Sequence, residues 1–197
     1  MLSGPEEIAL FGGFEGLDSS GANEQSPPMN FQELIRVRRS LRGYKPDPID
    51  EDVLQRVLGA GRIAPTAANL QPFHLIVVTE PETRARMKAV YARDWFHTAP
   101  LILVGCVDPA KAWQRGDGFN AAEMDLAIVM DHIILAATEE GLGTCWICAF
   151  DEAKTKDILG IPDEVRVLAM TPLGYPDAQP RPFARKPLAD LVHKDRW

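Results

Sequence analysis

The clearest indication of the fold comes from residues 120–150, NAAEMDLAIVMDHIILAATEEGLGTCWICAF. The first part, residues 120–140, predicts one long helix that stops at Gly141. This helix has little polar face, and a helix that is apolar nearly all round lies in a core or across a subunit interface. After the glycine turn, residues 144–150 predict a buried strand.

The segments on either side of this stretch complete the predicted fold. Apolar runs indicate three further strands, at residues 74–79, 101–107 and 165–171. Four further helices are predicted from the residues that open them, Asn30, Asp50, Pro81 and Asp151. The helix opened by Asp50 is expected to end at Gly59 and Gly61. Four strands interleaved with five helices indicate an α/β or α+β sandwich.

Composition sets the domain organisation. The chain has 197 residues, of which 46% are hydrophobic, which is enough for one substantial core. Residues 29–197 are expected to form that domain, and the glycine- and serine-rich residues 1–28 an N-terminal extension. Prolines at positions 180, 182 and 187 exclude a regular core element after Pro176. The chain is therefore expected to end in an extended arm.

Charge and hydropathy indicate which partners and which cellular location to expect. A net charge of −7 argues against binding to nucleic acid or to an anionic membrane surface. No apolar run reaches membrane-spanning length, and the N-terminus lacks the pattern of a signal peptide, so we expect a cytoplasmic protein. Three cysteines, an odd and low number, are expected to remain reduced thiols.

A cluster of arginines is the first candidate functional segment. Arg36, Arg38, Arg39 and Arg42 lie within seven residues of an acidic chain, with Ser40 between them. Guanidinium groups match phosphate oxygens in charge and geometry, so the cluster could hold a phosphate group. A solvated basic helix end explains the same pattern, because cations are favoured at that end of the helix dipole.

Three more segments have a pattern that a ligand could use. PTAANLQPF, residues 65–73, combines small residues with two side-chain amides before a strand, which suits the edge of a planar heterocycle. GLGTCWICAF, residues 141–150, could carry backbone amides to such a ring. RKPL, residues 185–188, puts a basic pair in the arm. Each segment also has an ordinary structural explanation, as a loop, a helix end with a core strand, or an exposed arm.

The order and spacing of RRSLR, PTAANLQPF, GLGTCWI and PLGYP followed by RKPL resemble the smaller FMN-dependent members of the nitroreductase-like family, over roughly residues 30–191. The resemblance implies an α+β, three-layer sandwich with a mixed sheet flanked by helices. It also implies a homodimer whose FMN sites lie at the subunit interface. Phe73 stands where the family often has a tryptophan.

The resemblance implies a set of cofactor-binding residues. The phosphate and ribityl chain would be held by Arg38, Arg39, Ser40, Arg42 and, from the arm, Arg185. The partner subunit would contribute Thr66, Ala67, Asn69 and Gln71. Backbone amides near flavin N5 would come from Cys148 and Ala149. The acceptor pocket would be shaped by Trp95, Phe96, Trp113 and Phe119.

The implied activity is reduction of a small acceptor, such as a nitroaromatic or a quinone, by NADH or NADPH in a ping-pong mechanism. The flavin would carry the chemistry, so no catalytic side chain is assigned. Reductive dehalogenation and cleavage of the flavin itself are alternatives on the same fold. A non-enzymatic FMN-binding module is a third possibility.

Two motifs are set aside. GAGRIA, residues 59–64, fits a loose dinucleotide-binding pattern, but a helix precedes it where that fingerprint needs a strand. The CWIC motif, residues 145–148, resembles a redox or zinc pair. On a strand its two sulfurs would point to opposite faces, and no second pair of ligands has metal-binding spacing. His132 is expected to be a core or interface histidine with its hydrogen bonds satisfied, and no metal site is predicted.

Overall fold

Strands and helices alternate along residues 29–197, the part of the chain that the computed structural model describes. The α-helices are α1 (Phe31–Val37), α2 (Glu51–Arg62), α3 (Pro81–Arg86), α4 (Ala122–Glu139) and α5 (Glu152–Leu159). The strands are β1 (Phe73–Val78), β2 (Leu101–Val107), β3 (Gly143–Thr144) and β4 (Arg166–Gly174). Short 3₁₀ turns lie at Ala67–Asn69, Met87–Ala89, Asp94–Thr98 and Leu188–Asp190. The predicted N-terminal extension, residues 1–28, lies outside the described residues.

The sheet has the order β1-β2-β4-β3, and its neighbouring strands are antiparallel. The expected α+β fold class is confirmed. Parallel pairing is confined, within residues 29–197, to an isolated bridge between Ser40 and Thr144. The central strand β2 has the predicted bounds, and all seven of its residues are buried.

Helices cover both faces of the sheet. On one face, α2 and α4 pack over a cluster that includes Val57, Met130 and Leu103. On the other face, the segment around α3 and α5 covers a second cluster that includes Phe96 and Val104. Because successive residues of a strand point to opposite faces, β2 contributes to both clusters. The result is the three-layer arrangement that the family resemblance implied.

Three helices were predicted to begin at an asparagine or aspartate, and at two of them the side chain makes a capping hydrogen bond. The side chain of Asn30 accepts a hydrogen bond from the Glu33 amide at 3.1 Å. Asp151 accepts one from the Lys154 amide at 3.0 Å. Asp50 stands at the N-cap of α2, but its side chain makes no capping bond. Only the backbone carbonyl of Asp50 takes part, by accepting a hydrogen bond from the Leu54 amide at 3.0 Å.

The predicted end of α2 was wrong. The helix continues through Gly59 and Gly61 to Arg62. A Cβ added at Gly61 would lie 2.7 Å from side-chain atoms of Ile133 on α4, whereas one at Gly59 would have nothing within 4 Å. Gly61 is therefore needed for the close approach of α2 to α4, not for a helix end. GAGRIA lies in and after the last turn of α2, as expected.

The predicted strand over residues 144–150 was also wrong in length, because β3 ends at Thr144. The register continues, since Ile147 forms an isolated bridge to Met170. Between these points Pro172 of β4 has no amide hydrogen to donate to the facing strand. The amide of Cys145 donates to the hydroxyl of Thr171 at 3.0 Å instead. A side chain thus replaces one bond of the ladder.

The chain after Pro176 follows the predicted arm. Tyr44 and Pro176 form an isolated antiparallel bridge, and the amide of Asp177 donates to the carbonyl of Gly43 at 3.0 Å. All residues after position 178 are exposed. Among the described helices, none is both long and apolar enough to cross a membrane.

Candidate functional site

The arginine cluster leaves α1 and runs beside β3. Ser40 forms its parallel bridge with Thr144, and the amide of Leu41 donates to the carbonyl of Thr144 at 2.9 Å. A Cβ on Gly143 would lie 2.8 Å from the side chain of Leu41, so this approach requires glycine at that position. The structure thereby brings together RRSLR and GLGTC, two of the four segments that the sequence singled out.

The arm brings in a third segment. The ring of Phe183 lies under two guanidinium groups, with 4.2 Å from its centroid to the Arg39 carbon and 4.1 Å to the Arg185 carbon. Both distances are within the range of cation–π attraction. Arg39 also donates to the carbonyl of Arg38 at 2.9 Å and to that of Arg36. Phe183 was not predicted, since one aromatic residue in an exposed arm gives no signal of its own.

The charges of this cluster are not balanced by carboxylates. Among residues 29–197, none of the six ion pairs involves Arg38, Arg39, Arg42 or Arg185. Arg42 instead lies over the ring of Trp95, at 5.8 Å from the centroid. These four guanidinium groups, without a carboxylate partner among the described residues, belong to a chain of net charge −7, and guanidinium donors match phosphate oxygens in charge and geometry.

Tyr44 fixes the segment that carries the cluster. Its hydroxyl donates to the carbonyl of Leu41 at 2.7 Å, and its amide donates to the hydroxyl of Thr98 at 3.1 Å. Burial raises the pKa of Tyr44 well above its ordinary value, with a smaller contribution from Cys145, so the hydroxyl stays protonated and remains a donor. The sequence gives no signal for this residue, because the burial of an isolated tyrosine depends on tertiary contacts.

The fourth segment, residues 65–73, has a strained backbone. Three residues other than glycine adopt the left-handed region, Ala68 at φ 53°, Asn69 at φ 54° and Gln71 at φ 51°. The hydroxyl of Thr66 accepts the Gln71 amide at 3.1 Å, and the Gln71 side chain donates to the carbonyl of Asn69 at 3.2 Å. The amide of Ala67 donates to a carboxylate oxygen of Asp125 at 2.8 Å. Strain of this kind occurs at ligand-binding segments.

This loop does not meet the arginine cluster within one chain. It precedes Phe73, which pairs with Val107 at one end of the edge strand β1. The cluster lies beside Thr144 on the opposite edge, at the level of Leu101. The loop and the cluster are therefore separated by about 14 Å across the sheet, which is three strand spacings, and by about 20 Å along the strand direction. Ala67, Asn69 and the other predicted loop residues are thus separate from the cluster.

Cys148 and Ala149 lie on the edge of the sheet that faces outward beyond β3. Both are exposed, and they follow the bridge formed by Ile147. The indole of Trp146 donates to the sulfur of Cys148 at 2.9 Å. Cys145 is buried, and burial raises the pKa of its thiol. The two sulfurs of the CWIC motif therefore lie in different environments, although β3 ends before them and the regular strand expected to separate them is absent there.

The predicted acceptor pocket needs one correction. Phe96 is fully buried in the core, where it makes edge-on contacts with Tyr91 and Trp95. It cannot contact a bound acceptor. Trp113 and Phe119 are exposed to 38% and 40%, on a hairpin closed by the bond from the Arg115 amide to the carbonyl of Phe119.

Among residues 29–197, the histidines and acidic residues form no metal-binding group. His132 lies on α4, and its Nδ1 is 3.0 Å from the carbonyl of Ile128, which confirms a satisfied histidine. His97 Nε2 is 2.7 Å from the carbonyl of Tyr91. Over residues 29–197, no group of three or more His, Cys, Asp or Glu side chains is arranged to hold a metal ion.

Known proteins share this fold and sequence pattern. A nitroreductase family protein from Clostridium difficile 630 superposes with a TM-score of 0.80 at 33% identity, covering 86% of this chain and all of the other. The NADPH:FMN oxidoreductase from Vibrio harveyi, complexed with NAD+, has a TM-score of 0.75 at 26% identity, covering 84% and 77%. A protein from Thermus thermophilus named NADH dehydrogenase is 28% identical, covering 84% of this chain and 96% of its own length.

The family-level match covers most of the described chain. The model of the nitroreductase family matches residues 35–94 and 88–175, which include three of the four segments and end before RKPL. The expectation of an NAD(P)H-dependent oxidoreductase of nitroreductase type is thereby confirmed at the level of the family. By sequence and by fold, this chain belongs to the nitroreductase family.

Proposed function

We propose that this protein is an FMN-dependent oxidoreductase that takes electrons from NADH or NADPH and passes them to a small acceptor, such as a nitroaromatic or a quinone. Donor and acceptor would use the same site in turn, as in a ping-pong reaction. When bound, FMN would supply the centre that accepts and returns a hydride. The observation that carries the proposal is the cluster of guanidinium groups without carboxylate partners among the described residues, two of which meet at the ring of Phe183.

The cluster suits the phosphate end of FMN. Arg38, Arg39 and Arg185 offer charged donors, and Ser40 adds a hydroxyl between them. Two like charges drawn to one aromatic ring repel each other, and a dianionic phosphate would relieve that repulsion. Arg42 would reach the flavin ring and stabilise its anionic reduced form. In support, a structural relative is by name an NADPH:FMN oxidoreductase.

A homodimer would complete the site. The distance between the arginine cluster and the strained loop leaves each protomer with two separate half-sites. In a dimer, Thr66, Ala67, Asn69 and Gln71 of one protomer would meet the arginines of the other. Exposed apolar side chains on α1 and α4, such as Phe31 at 62% and Met124 at 48%, support burial of this surface by a second copy.

The remaining roles concern the reacting end of the flavin. Backbone amides of Cys148 and Ala149 would face N5, since this exposed segment follows closely after β3, beside which the arginine cluster runs. Trp95, Trp113 and Phe119 would line the acceptor site. Protons would come from water, because none of the described histidines is placed with a carboxylate as an acid–base pair.

The test is a visible absorption spectrum of the purified protein, with FMN added if needed, before and after anaerobic addition of NADH or NADPH. We expect flavin bands that bleach on addition of the nucleotide and return with a nitroaromatic or a quinone. A protein that neither contains nor takes up FMN would contradict the proposal. Bound flavin that NAD(P)H does not bleach would favour a non-enzymatic FMN-binding module.

The same experiment separates the alternative reactions of this fold. Reoxidation by a halogenated aromatic with release of halide would indicate reductive dehalogenation. Loss of flavin with fragmentation of its ring would indicate flavin cleavage.

We place the protein in the cytoplasm because its three cysteines are free thiols rather than disulfides.

A further inference from the structure

The carboxylate of Asp125 is buried in an unusual way. Asp125 lies in the first turn of α4 and is fully buried, with no exposed surface. One carboxylate oxygen, Oδ1, accepts the Ala67 amide at 2.8 Å. The other, Oδ2, is buried without a hydrogen-bond partner among the described residues. A buried carboxylate with a single bond is costly, and such a residue needs an explanation beyond packing.

The amide that bonds to Asp125 belongs to the strained loop, and this explains the buried carboxylate. Ala67 opens the 3₁₀ turn Ala67–Asn69, and the two residues after it adopt positive φ. Left-handed backbone is unfavourable for residues with a Cβ, so it persists only where surrounding contacts impose it. The contacts within the loop are the Gln71 amide on the Thr66 hydroxyl, the Gln71 side chain on the Asn69 carbonyl, and two backbone bonds, from the Asn69 amide to the Thr66 carbonyl and from the Leu70 amide to the Ala67 carbonyl. These contacts tie the loop to itself.

The bond from Ala67 ties the loop to the core. Asp125 is flanked on α4 by Leu126 and Val129, which are fully buried against the sheet. A hydrogen bond that the Ala67 amide donates to such a rigidly held acceptor restrains the backbone at that residue. Residues Ala68 to Gln71 meanwhile expose their side chains to solvent. The carboxylate therefore fixes one end of a loop whose other side is free to meet a ligand.

We propose that Asp125 is a positioning residue for the flavin site: through Ala67 it holds the left-handed loop in the conformation that binds FMN. This inference rests on the proposed function, because it assigns the loop to the cofactor. Asp125 itself need not touch the flavin. Its effect on binding would pass through the backbone of residues 66–71.

The experiment compares Asp125→Ala, Asp125→Asn and the control Asp108→Asn. The Asn replacement at position 125 retains an oxygen that can accept the Ala67 amide. Asp108 is likewise a buried carboxylate with a bond to a backbone amide, that of Ala110 at 3.0 Å, in a neighbouring loop. Circular dichroism of each variant identifies those that fold, and Asp125→Asn serves as the test variant if Asp125→Ala does not fold.

The first measurement is hydrogen exchange of a peptide covering residues 65–72 in flavin-free protein. We expect faster exchange there in Asp125→Ala, unchanged exchange in β2, and wild-type exchange in Asp108→Asn. Asp125→Asn should restore most of the protection. Wild-type exchange at residues 65–72 in Asp125→Ala would overturn the inference. If that variant does not fold, loss of this protection in a folded Asp125→Asn would overturn it instead. This measurement does not depend on FMN.

The second measurement is FMN affinity by fluorescence titration, with the absorption spectrum and reduction potential of the bound flavin. We expect Asp125→Ala to raise the Kd at least about tenfold, with Asp125→Asn closer to wild type. The spectrum and potential should shift in Asp125→Ala and recover in Asp125→Asn, which a general loss of stability would not produce. An unchanged Kd with a loosened loop would overturn the link to flavin. Wild-type protein without FMN binding would instead contradict the proposed function, and the exchange result would still decide the role of Asp125 in the loop.

Discussion

Replacement of Phe183 tests the arginine cluster most directly. Its ring is 44% exposed and lies within 4.2 Å of two guanidinium carbons, one from the α1 end and one from the arm. Phe183→Leu keeps an apolar side chain but removes both cation–π contacts. Each such contact is worth about 0.5–1 kcal/mol at an exposed site. The variant should therefore lose about 1–2 kcal/mol of FMN binding, which raises the Kd roughly 5- to 30-fold.

The assay is a fluorescence titration of flavin-free protein with FMN, repeated for Arg185→Ala and for the double variant. Arg185→Ala should cost about 1.5–3 kcal/mol if its guanidinium binds the phosphate. Because Phe183 would act partly by holding Arg185, the double variant should lose less than the sum of the two single losses. The FMN affinity of Arg185→Ala should also depend less on salt concentration than the wild-type affinity does, because one charge that binds the phosphate is removed.

Two results would refute the reasoning. An unchanged Kd in Phe183→Leu would mean that the ring does not organise the cluster. Losses that add fully in the double variant would mean that Phe183 and Arg185 act independently. The fold should be unaffected in every case, because both residues are exposed and lie outside the two cores.

Three other changes have defined outcomes. Gly61→Ala should destabilise the protein by about 1–3 kcal/mol in urea unfolding, because its Cβ would meet α4, whereas the control Gly59→Ala should stabilise it by about 0.5–1 kcal/mol. The Arg56 guanidinium lowers the pKa of Glu140, so their ion pair stabilises the fold fully above the ordinary carboxyl pKa and progressively less as pH falls toward and through the lowered value. Arg56→Gln should therefore be destabilising at pH 7 in thermal unfolding, and the difference from wild type should shrink as pH falls below about 4. A difference that stays constant with pH would contradict this. Cys148 should react first with a thiol reagent, since the other two cysteines are buried and their pKa values are raised, and FMN should slow that reaction if the flavin lies beside it.

The sequence predicted the fold where local pattern and tertiary packing agree. The apolar run 101–107 is β2 with the same bounds, and the apolar residues 120–140 contain α4. It failed where a neighbour decides the outcome. Gly61 has the pattern of a helix end but serves the packing of α2 on α4. The length of β3 depends on Pro172, which lies almost thirty residues later in the chain.

The candidate site was predicted in its parts but not in its arrangement. RRSLR, GLGTC and the arm were singled out from the sequence, and the structure brings them together at one edge of the sheet. Phe183 and Tyr44, which hold those parts, were missed because their roles depend on contacts across the fold. Asp125 was missed for the same reason, since an aspartate in a first helical turn usually serves the helix dipole. Phe96 was predicted to line a pocket because exposure cannot be read from residue type alone.

The separation of the two half-sites has a consequence for mixed assemblies. If each flavin is held by the arginines of one subunit and the loop of the other, a subunit with Arg38→Ala and one with Asn69→Ala carry defects at different half-sites. A heterodimer of the two would contain one site with both changes and one site with neither. Mixing equal amounts of two poorly active homodimers under exchanging conditions should then restore activity, up to about a quarter of the wild-type value, because half of the dimers become heterodimers and each heterodimer has one intact site of two. Sites contained within single protomers would show no such complementation.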